Sequence, residues 1–549
     1  MNCEFKLVSS LEKSFLDRPE SMPETHSGSM LKNEVYSFQL LCWADVGEQL
    51  AGFNCKVKIQ SALASYLRVF SVGFAPSLLP AYPSGTDEDY LTKTPGLFPD
   101  PLFPLGDGTF QMMPGQTRAL WFTVEPEGNI TGEFPIDISV YDPLDVCLGS
   151  VRFTLRIIDA ELPKLDIYNT CWFHGDCLAV LHGMELQSDA YFELVEKYLR
   201  VYVAAGHNTI LTPAFTPPLD TDVGGERPTN QLVGVTVTKG AYSFDFSLLR
   251  RWIKLCEKQE IEFFEISHFY SQWGAKYAPK IMATVDGRYG RIFGWDTDAL
   301  GEDYRAFLEA FLPQLTAFLK EEGVYTRCLF HVSDEPSAEQ AVQYEKAKGV
   351  LTKYIDEDQI IDALGDYRLY ESGAVRHPVV SLDHMKTFRE HGVTDLWGYY
   401  CCVQGDKVAN RFMAMPSYRN RVLGCQLYKF NIRGFLQWGF NFWFSARSRR
   451  VLDPACETDA GCAFPSGDAF VVYPLSECGE PICSLRLYVF REAMQDYRAL
   501  TLLERLAGRN AVESLLTEIA DFENYPRTAK YYLHLRQKVN EIIETLAAA

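Results

Sequence analysis

No run of about 18 apolar residues occurs in the chain, so nothing in it reads as a membrane span. The first twenty residues, MNCEFKLVSSLEKSFLDRPE, lack a basic flank followed by an apolar stretch, and the expectation is a cytoplasmic protein. Basic residues are in deficit, 52 against 72 acidic, and the resulting charge of −20 repels phosphate backbones and anionic lipid. Neither nucleic acid nor a membrane is an expected partner. The fifteen cysteines are odd in number and scattered, which fits a reducing compartment better than a disulfide framework. Cys456, Cys462, Cys478 and Cys483 lie closest together, but their C-x5-C and C-x4-C spacings resemble a zinc site only loosely, and free thiols in a loop are expected. H-x-H and H-E-x-x-H spacings are also missing. No metal and no other cofactor is called for.

What is present is ordinary globular material. Hydrophobic residues at 47% and charged residues at 23% exclude disorder, and 549 residues suggest two to four domains. Up to residue 162 the chain reads as strands and turns. "VYSFQLLCWA", "FNCKVKIQSA", "TRALWFTVEP", "EFPIDISVY" and "VRFTLRIID" are rich in β-branched and aromatic residues with partial alternation. Pro- and Gly-rich "FPDPLFPLGDG" is expected to be a long loop, and "AELPKLD" the exit linker. Residues 1–162 are therefore assigned to an N-terminal antiparallel β-sandwich.

From residue 163 to 549, short apolar runs alternate with amphipathic helical stretches. Eight candidate strands span 167–173, 208–213, 261–267, 327–333, 360–364, 379–383, 394–400 and 432–439. Segments between them, such as "YFELVEKYLRVYVAAG" and "DYRAFLEAFLPQLTAFLKEEG", repeat apolar residues at i, i+3 and i+4 and stop on glycine. Eight such alternations predict a (β/α)8 TIM barrel, with its last helix over 485–506 and closing helices within 510–547. Residues 447–484 are an insertion after strand eight.

A barrel of this kind carries its chemistry at the C-terminal strand ends. Near those ends, or flanking the strands, stand Trp172, Phe173, His174, Asp176, His207, Asn208, His268, Gln272, Trp273, His331, Trp397, Tyr399, Tyr400, Gln437, Trp438 and Asn441. They surround one carboxylate pair, Asp334 and Glu335, in "FHVSDEPSAEQ". Aromatic faces with amides and imidazoles suit a sugar, whose C–H faces stack and whose hydroxyls need directional partners. Four histidines from separate strands also raise a metal-dependent hydrolase, against which stands the missing ligand spacing. An inactive carbohydrate-binding barrel is the other alternative, opposed by the intact Asp-Glu-Pro.

Pro336 biases Glu335 toward extended geometry, and Ser337 with Gln340 makes a plausible capping box for a following helix. Many barrel glycosidases have Asn-Glu-Pro at this point and a nucleophilic carboxylate on strand seven. Here Asp replaces Asn, and the strand-seven end "LWGYYCC" has no carboxylate. Both departures suit a substrate with a 2-acetamido group, whose N–H an ionised Asp334 accepts and whose own oxygen attacks C1.

"FHVSDEP", with "WFHGDCLA", "HNTILTPAFTPPLDT", "ERPTNQLV", "EISHFYSQWGA", "YYCCVQGDKVANRF" and "RGFLQWGFNFW", resembles glycoside hydrolase family 123, the β-N-acetylgalactosaminidases. The resemblance implies a β-sandwich followed by a (β/α)8 barrel, and Asp334 and Glu335 as the catalytic pair. It implies release of terminal β-linked N-acetylgalactosamine from glycans or glycolipid oligosaccharides with retention, through an oxazolinium. In that reading Glu335 is acid then base, Asp334 orients the acetamide, and repulsion from ionised Asp334 favours the protonated form of Glu335. Sugar contacts carried over by motif position are His174, His207, Asn208, His268, Trp273, His331, Trp397, Tyr399, Tyr400, Trp438 and Asn441. A β-N-acetylglucosaminidase or other hexosaminidase is the nearest alternative, because sequence alone does not fix the 4-hydroxyl configuration.

Overall fold

The computed structural model describes residues 3–17, 21–47 and 52–547. Eight strands, Tyr168–Cys171, Thr209–Thr212, Phe263–Ile266, Cys328–Phe330, Ile361–Leu364, His377–Ser381, Trp397–Tyr399 and Gly434–Gln437, follow one another around one sheet. They are called strands one to eight below. Their ladders are parallel throughout. Strands four and five meet in a single parallel bridge, Phe330 to Ile360, so the ring is nearly closed and fits a TIM-like barrel. Each strand falls on one of the eight candidate runs, although strand six starts two residues earlier, at His377.

Side-chain alternation divides these strands between two cores. Leu211, Leu329, Ile361, Ala363, Val379, Trp397, Tyr399 and Leu436 point into the barrel, whereas Ile210, Phe264, Phe330, Leu364, Val380, Tyr400 and Phe435 face the surrounding helices. That outer layer includes Asp189–Ala204, Glu302–Glu321, Tyr418–Lys429 and Leu485–Ala507. Strands five and six are followed by helices of only one turn or so, Tyr367–Glu371 and Met385–Glu390. A separate four-stranded sheet, built from Gly234–Thr238, Ala241–Asp245, Ile281–Val285 and Arg288–Phe293, is inserted after strands two and three, and periodicity did not announce it.

The N-terminal region is sheet-rich. Residues from a seven-stranded and a five-stranded sheet, among them Phe38, Leu40, Phe122, Ile136, Ile138 and Phe153, share one core. The pairing is mixed, because Ser27–Leu31 runs parallel to Cys147–Ile158. Two strands of the seven-stranded sheet, Val472–Leu475 and Pro481–Ser484, come from the insertion after strand eight. The expected loop at "FPDPLFPLGDG" is instead largely a strand, Gly96–Pro104. It tolerates three prolines because it pairs across a register shift with Leu67–Ser77 and meets Pro481–Ser484 over just two residue pairs, so no continuous ladder needs the missing donors.

Candidate active site

Strand four ends at Phe330, and four residues later the chain turns sharply at Asp334 and Glu335. Glu335 has φ 44°, so it occupies the left-handed region and not the extended conformation expected before Pro336. The turn is held from the loop after strand three: the Trp273 backbone N–H donates to the Asp334 carbonyl at 2.8 Å. Gln340 Nε2 donates to the Trp273 carbonyl at 2.8 Å, and Gln340 Oε1 accepts the Ser337 N–H at 2.9 Å. Ser333 Oγ braces the same loop, donating to Ser271 O and accepting from the Ala275 N–H. Trp273, Gly274 and Ala275 all have positive φ, and backbone strain of this kind persists where surrounding contacts over-determine it.

The two carboxylates differ in setting. Asp334 is partly buried and Glu335 exposed. Burial and the neighbouring Glu335 charge hold the Asp334 carboxyl well above the usual carboxylate range, with His331 pulling the other way. That setting disfavours a charge on Asp334, against the expectation that Asp334 is the ionised member of the pair. Tyr399, at the end of strand seven, donates its hydroxyl to Glu335 Oε1 at 2.7 Å. A phenol stands where a two-carboxylate barrel enzyme would hold its nucleophile.

Below the pair lies a buried network that the strand sequences only hinted at. His331 is 1% exposed, with Nε2 2.6 Å from Glu265 and Nδ1 3.1 Å from Asp362. Burial alone would depress this imidazole, but the hydrogen bonds to Asp362 and Glu265 raise it to about 10. Its ring stacks on that of His268 with centroids 4.2 Å apart. Burial and the His331 charge push His268 well below the usual range, and among the described residues neither of its ring nitrogens has a hydrogen-bond partner. His268, His331 and Asp362 form, among the described residues, the one group close enough to hold a metal ion. Both His331 nitrogens are already committed to carboxylates, so the group fits a hydrogen-bonded ion cluster better than a ligand set. Cys456, Cys462, Cys478 and Cys483 do not gather into such a group.

Several residues expected at the sugar lie elsewhere. His207 and Asn208 precede strand two, at the opposite end of the barrel. His207 stacks on Phe490 at 4.9 Å, and burial lowers it to about 3. Asn208 ties strand one to strand two, accepting from the Asn169 N–H at 2.9 Å and donating to Ile167 O at 2.9 Å. Trp397 points inward but stacks on Tyr168 at the barrel floor, with centroids 4.9 Å apart. Tyr400 faces the outer core against Phe435, since adjacent residues of a strand point to opposite faces.

His174 and Asn441 are near the mouth yet fully engaged. His174 lies 2.8 Å from the Trp438 carbonyl through Nε2 and 3.1 Å from Arg227 through Nδ1, while the Asn441 amide clips the His174 backbone at 2.9 and 3.0 Å. Burial and Arg227 lower His174 to about 3. Arg227 in turn makes a buried two-pronged ion pair with Asp176 at 2.8 and 2.9 Å. His331 is enclosed as described. At the mouth remain Trp273, 42% exposed, half-buried Trp438, Tyr399 and the unpartnered His268.

The unanticipated members of the site are Glu265, Asp362, Arg227 and Asp468. Glu265 and Asp362 did leave a signal: each is the lone acid of an apolar strand, "FFEI" and "IDAL", where an unpaired charge would be prohibitively costly. Asp468, from the insertion, accepts the Trp438 indole N–H at 2.9 Å, and burial holds its carboxyl up at about 7.

A parallel near-barrel with an acidic pair at its mouth, ringed by aromatic side chains, has the form of a barrel glycoside hydrolase. Residues 172–503 match the family described as Glycoside hydrolase 123, catalytic domain, and the chain belongs to that family. Among solved structures it is similar to a family 123 glycoside hydrolase from Clostridium perfringens, studied for glycolipid glycan hydrolysis, at 14% identity and a TM-score of 0.74, over 99% of this chain and 97% of that one. A β-glucuronidase from Parabacteroides merdae also matches, at 10% identity over 90% of this chain and 52% of that one, with a TM-score of only 0.32. Comparison with curated protein sequences returned no match. No helix among the described residues is long and apolar enough to cross a membrane.

Proposed function

We propose that this glycoside hydrolase is a retaining exo-β-N-acetylgalactosaminidase that uses the substrate's own acetamide as nucleophile. The observation that carries the reading is the Tyr399–Glu335 hydrogen bond at the strand-seven end, which fills the place of a protein nucleophile. The preference for the galacto sugar rests on the resemblance to the family's β-N-acetylgalactosaminidases.

In the first step Glu335 gives its proton to the glycosidic oxygen as the C1–O bond breaks, and the acetamide oxygen attacks C1 to form an oxazolinium. Asp334 accepts the amide N–H and balances the positive charge. In the second step Glu335 takes a proton from water as its oxygen bonds to C1, which opens the ring with net retention. Acid–base assistance of this kind contributes about 10²–10⁴-fold. The pair then holds one shared proton, as closely coupled carboxyls do. In the free site that proton favours Asp334, whereas an amide N–H facing Asp334 favours its transfer to Glu335. Binding thus arms the acid without net proton uptake. Trp438 and Trp273 offer faces for the sugar and its aglycone, with Tyr399 and His268 as polar partners.

A panel of aryl β-glycosides differing at C2 and C4 tests the proposal. The 2-acetamido galactoside should be cleaved and the 2-hydroxyl galactoside ignored. Efficient cleavage of the 2-hydroxyl substrate would assign the nucleophile to the protein, and preference for the gluco epimer would make the enzyme an N-acetylglucosaminidase.

A further inference from the structure

We infer that His331 is a positioning residue whose fixed positive charge, pinned between Glu265 and Asp362 inside the barrel, keeps Asp334 able to ionise. The inference rests on the reading of Asp334 as the acetamide acceptor.

The charge follows from hydrogen-bond accounting. Glu265 accepts from Thr170 Oγ1 and Trp172 Nε1, both at 2.7 Å, and Asp362 accepts from the Tyr344 hydroxyl at 2.5 Å and the Val332 N–H at 3.1 Å. Every neighbour other than His331 is a donor, so the imidazole nitrogens are the only acceptors that a proton on either carboxyl could meet. A neutral imidazole has a single N–H, whereas a doubly protonated ring donates to the carboxyl at each nitrogen, and the hydrogen bonds to Asp362 and Glu265 favour that form by raising the ring to about 10.

The placement gives that charge a target. Asp334 is three residues along from His331, and among the charges acting on it Glu335, Asp362 and Asp220 favour its protonated form while His331 favours the ionised one. Around His331 itself stand Glu265 and His268 from strand three, Trp172 from strand one and Asp362 from strand five. An acceptor crowded by three carboxylates would stay protonated and could not accept the acetamide N–H. The buried imidazolium offsets this, and its two-sided clamp fixes where the charge sits. At 1% exposure His331 acts from beneath the carboxylate pair and not as a surface of the sugar pocket.

The test compares pH profiles of kcat/KM for wild type and His331→Gln on p-nitrophenyl N-acetyl-β-galactosaminide. The acid limb should move up by about one pH unit in the variant, a tenfold fall on that limb, while activity at alkaline pH returns toward wild type. An equal loss at every pH, with the limb unmoved, would make His331 a packing residue and overturn the inference. Should His331→Gln fail to fold, Glu265→Gln removes the carboxylate that keeps Nε2 protonated and should displace the limb the same way. Independently of any substrate, ¹⁵N-histidine spectra of the free protein should show both His331 ring nitrogens protonated at pH 8. A singly protonated ring there would overturn the inference whatever the enzyme cleaves, and inactivity on hexosaminides would sink the proposed function but leave this measurement decisive.

Discussion

Tyr399 Oη lies 2.7 Å from Glu335 Oε1, a hydrogen bond between the ends of strands seven and four, on opposite sides of the barrel mouth. It holds one oxygen of an otherwise exposed carboxyl and leaves the other for the leaving group. Tyr399→Phe should therefore lower kcat/KM on substrates with poor leaving groups by about 10–100-fold, the equivalent of one hydrogen bond to a charged group. An activated aryl leaving group should recover much of the loss, because it needs less protonation. A leaving-group series with thermal melts of the variant would check this, and an equal loss across the series would detach Tyr399 from the acid.

Asp334→Asn should abolish turnover and yet stabilise the fold. A carboxyl raised on folding, here by burial and by Glu335, contributes stability that is complete below its unfolded value and is lost as pH rises through its folded value. At neutral pH the folded site favours a protonated carboxyl that the unfolded chain would ionise, and the amide removes that penalty. A rise in Tm on the order of 1–2 °C at pH 7, shrinking toward pH 4, is the expected result. A lower Tm at pH 7 would contradict the electrostatic account.

Arg227→Met should be severely destabilising. The Arg227–Asp176 pair is 2% and 4% exposed, and removing one partner leaves a buried uncompensated charge, at a cost of about 3–5 kcal/mol. Denaturant unfolding measures this directly. Replacing both partners by apolar residues of matching volume should recover much of the loss.

His207→Phe should leave kcat/KM within about twofold of wild type, since the ring stacks at the far end of the barrel and makes no hydrogen bond among the described residues. Burial holds His207 down at about 3, so its contribution is present above the unfolded value near 6.5 and lost as pH falls toward 3. The variant should accordingly lose less stability than wild type between pH 7 and 4 in melting experiments. A large drop in activity would restore His207 to the site.

Trp438→Ala should raise KM about tenfold without unfolding the protein, as loss of an aromatic sugar platform would. Trp438→Phe keeps the ring but removes the donor to Asp468, and separates stacking from the indole hydrogen bond. Unchanged kinetics in a folded Trp438→Ala variant would return the residue to packing.

Local chemistry was enough to reveal the strand order, the eight apolar runs and the position of Asp334 and Glu335 after strand four, because strand period and helix stops are written in neighbouring residues. The strand Gly96–Pro104 was hidden because its prolines mimic a loop, and only its bulged, short pairings make them tolerable. Side-chain direction was likewise beyond the sequence. Trp397, Tyr399 and Tyr400 are nearly consecutive, but strand pairing sends the first to the floor, the second to the mouth and the third to the outer core. Which histidines are free also had to wait for the tertiary structure. His174 and His331 both follow barrel strands toward the mouth, and partners distant in sequence, Arg227 for one and Glu265 with Asp362 for the other, engage their nitrogens. Sequence by itself determined which residues could do acid–base chemistry and where the chain could turn. Folding decided which of them keep unspent hydrogen bonds and which carboxyl holds the proton, since both depend on contacts between residues tens to hundreds of positions apart.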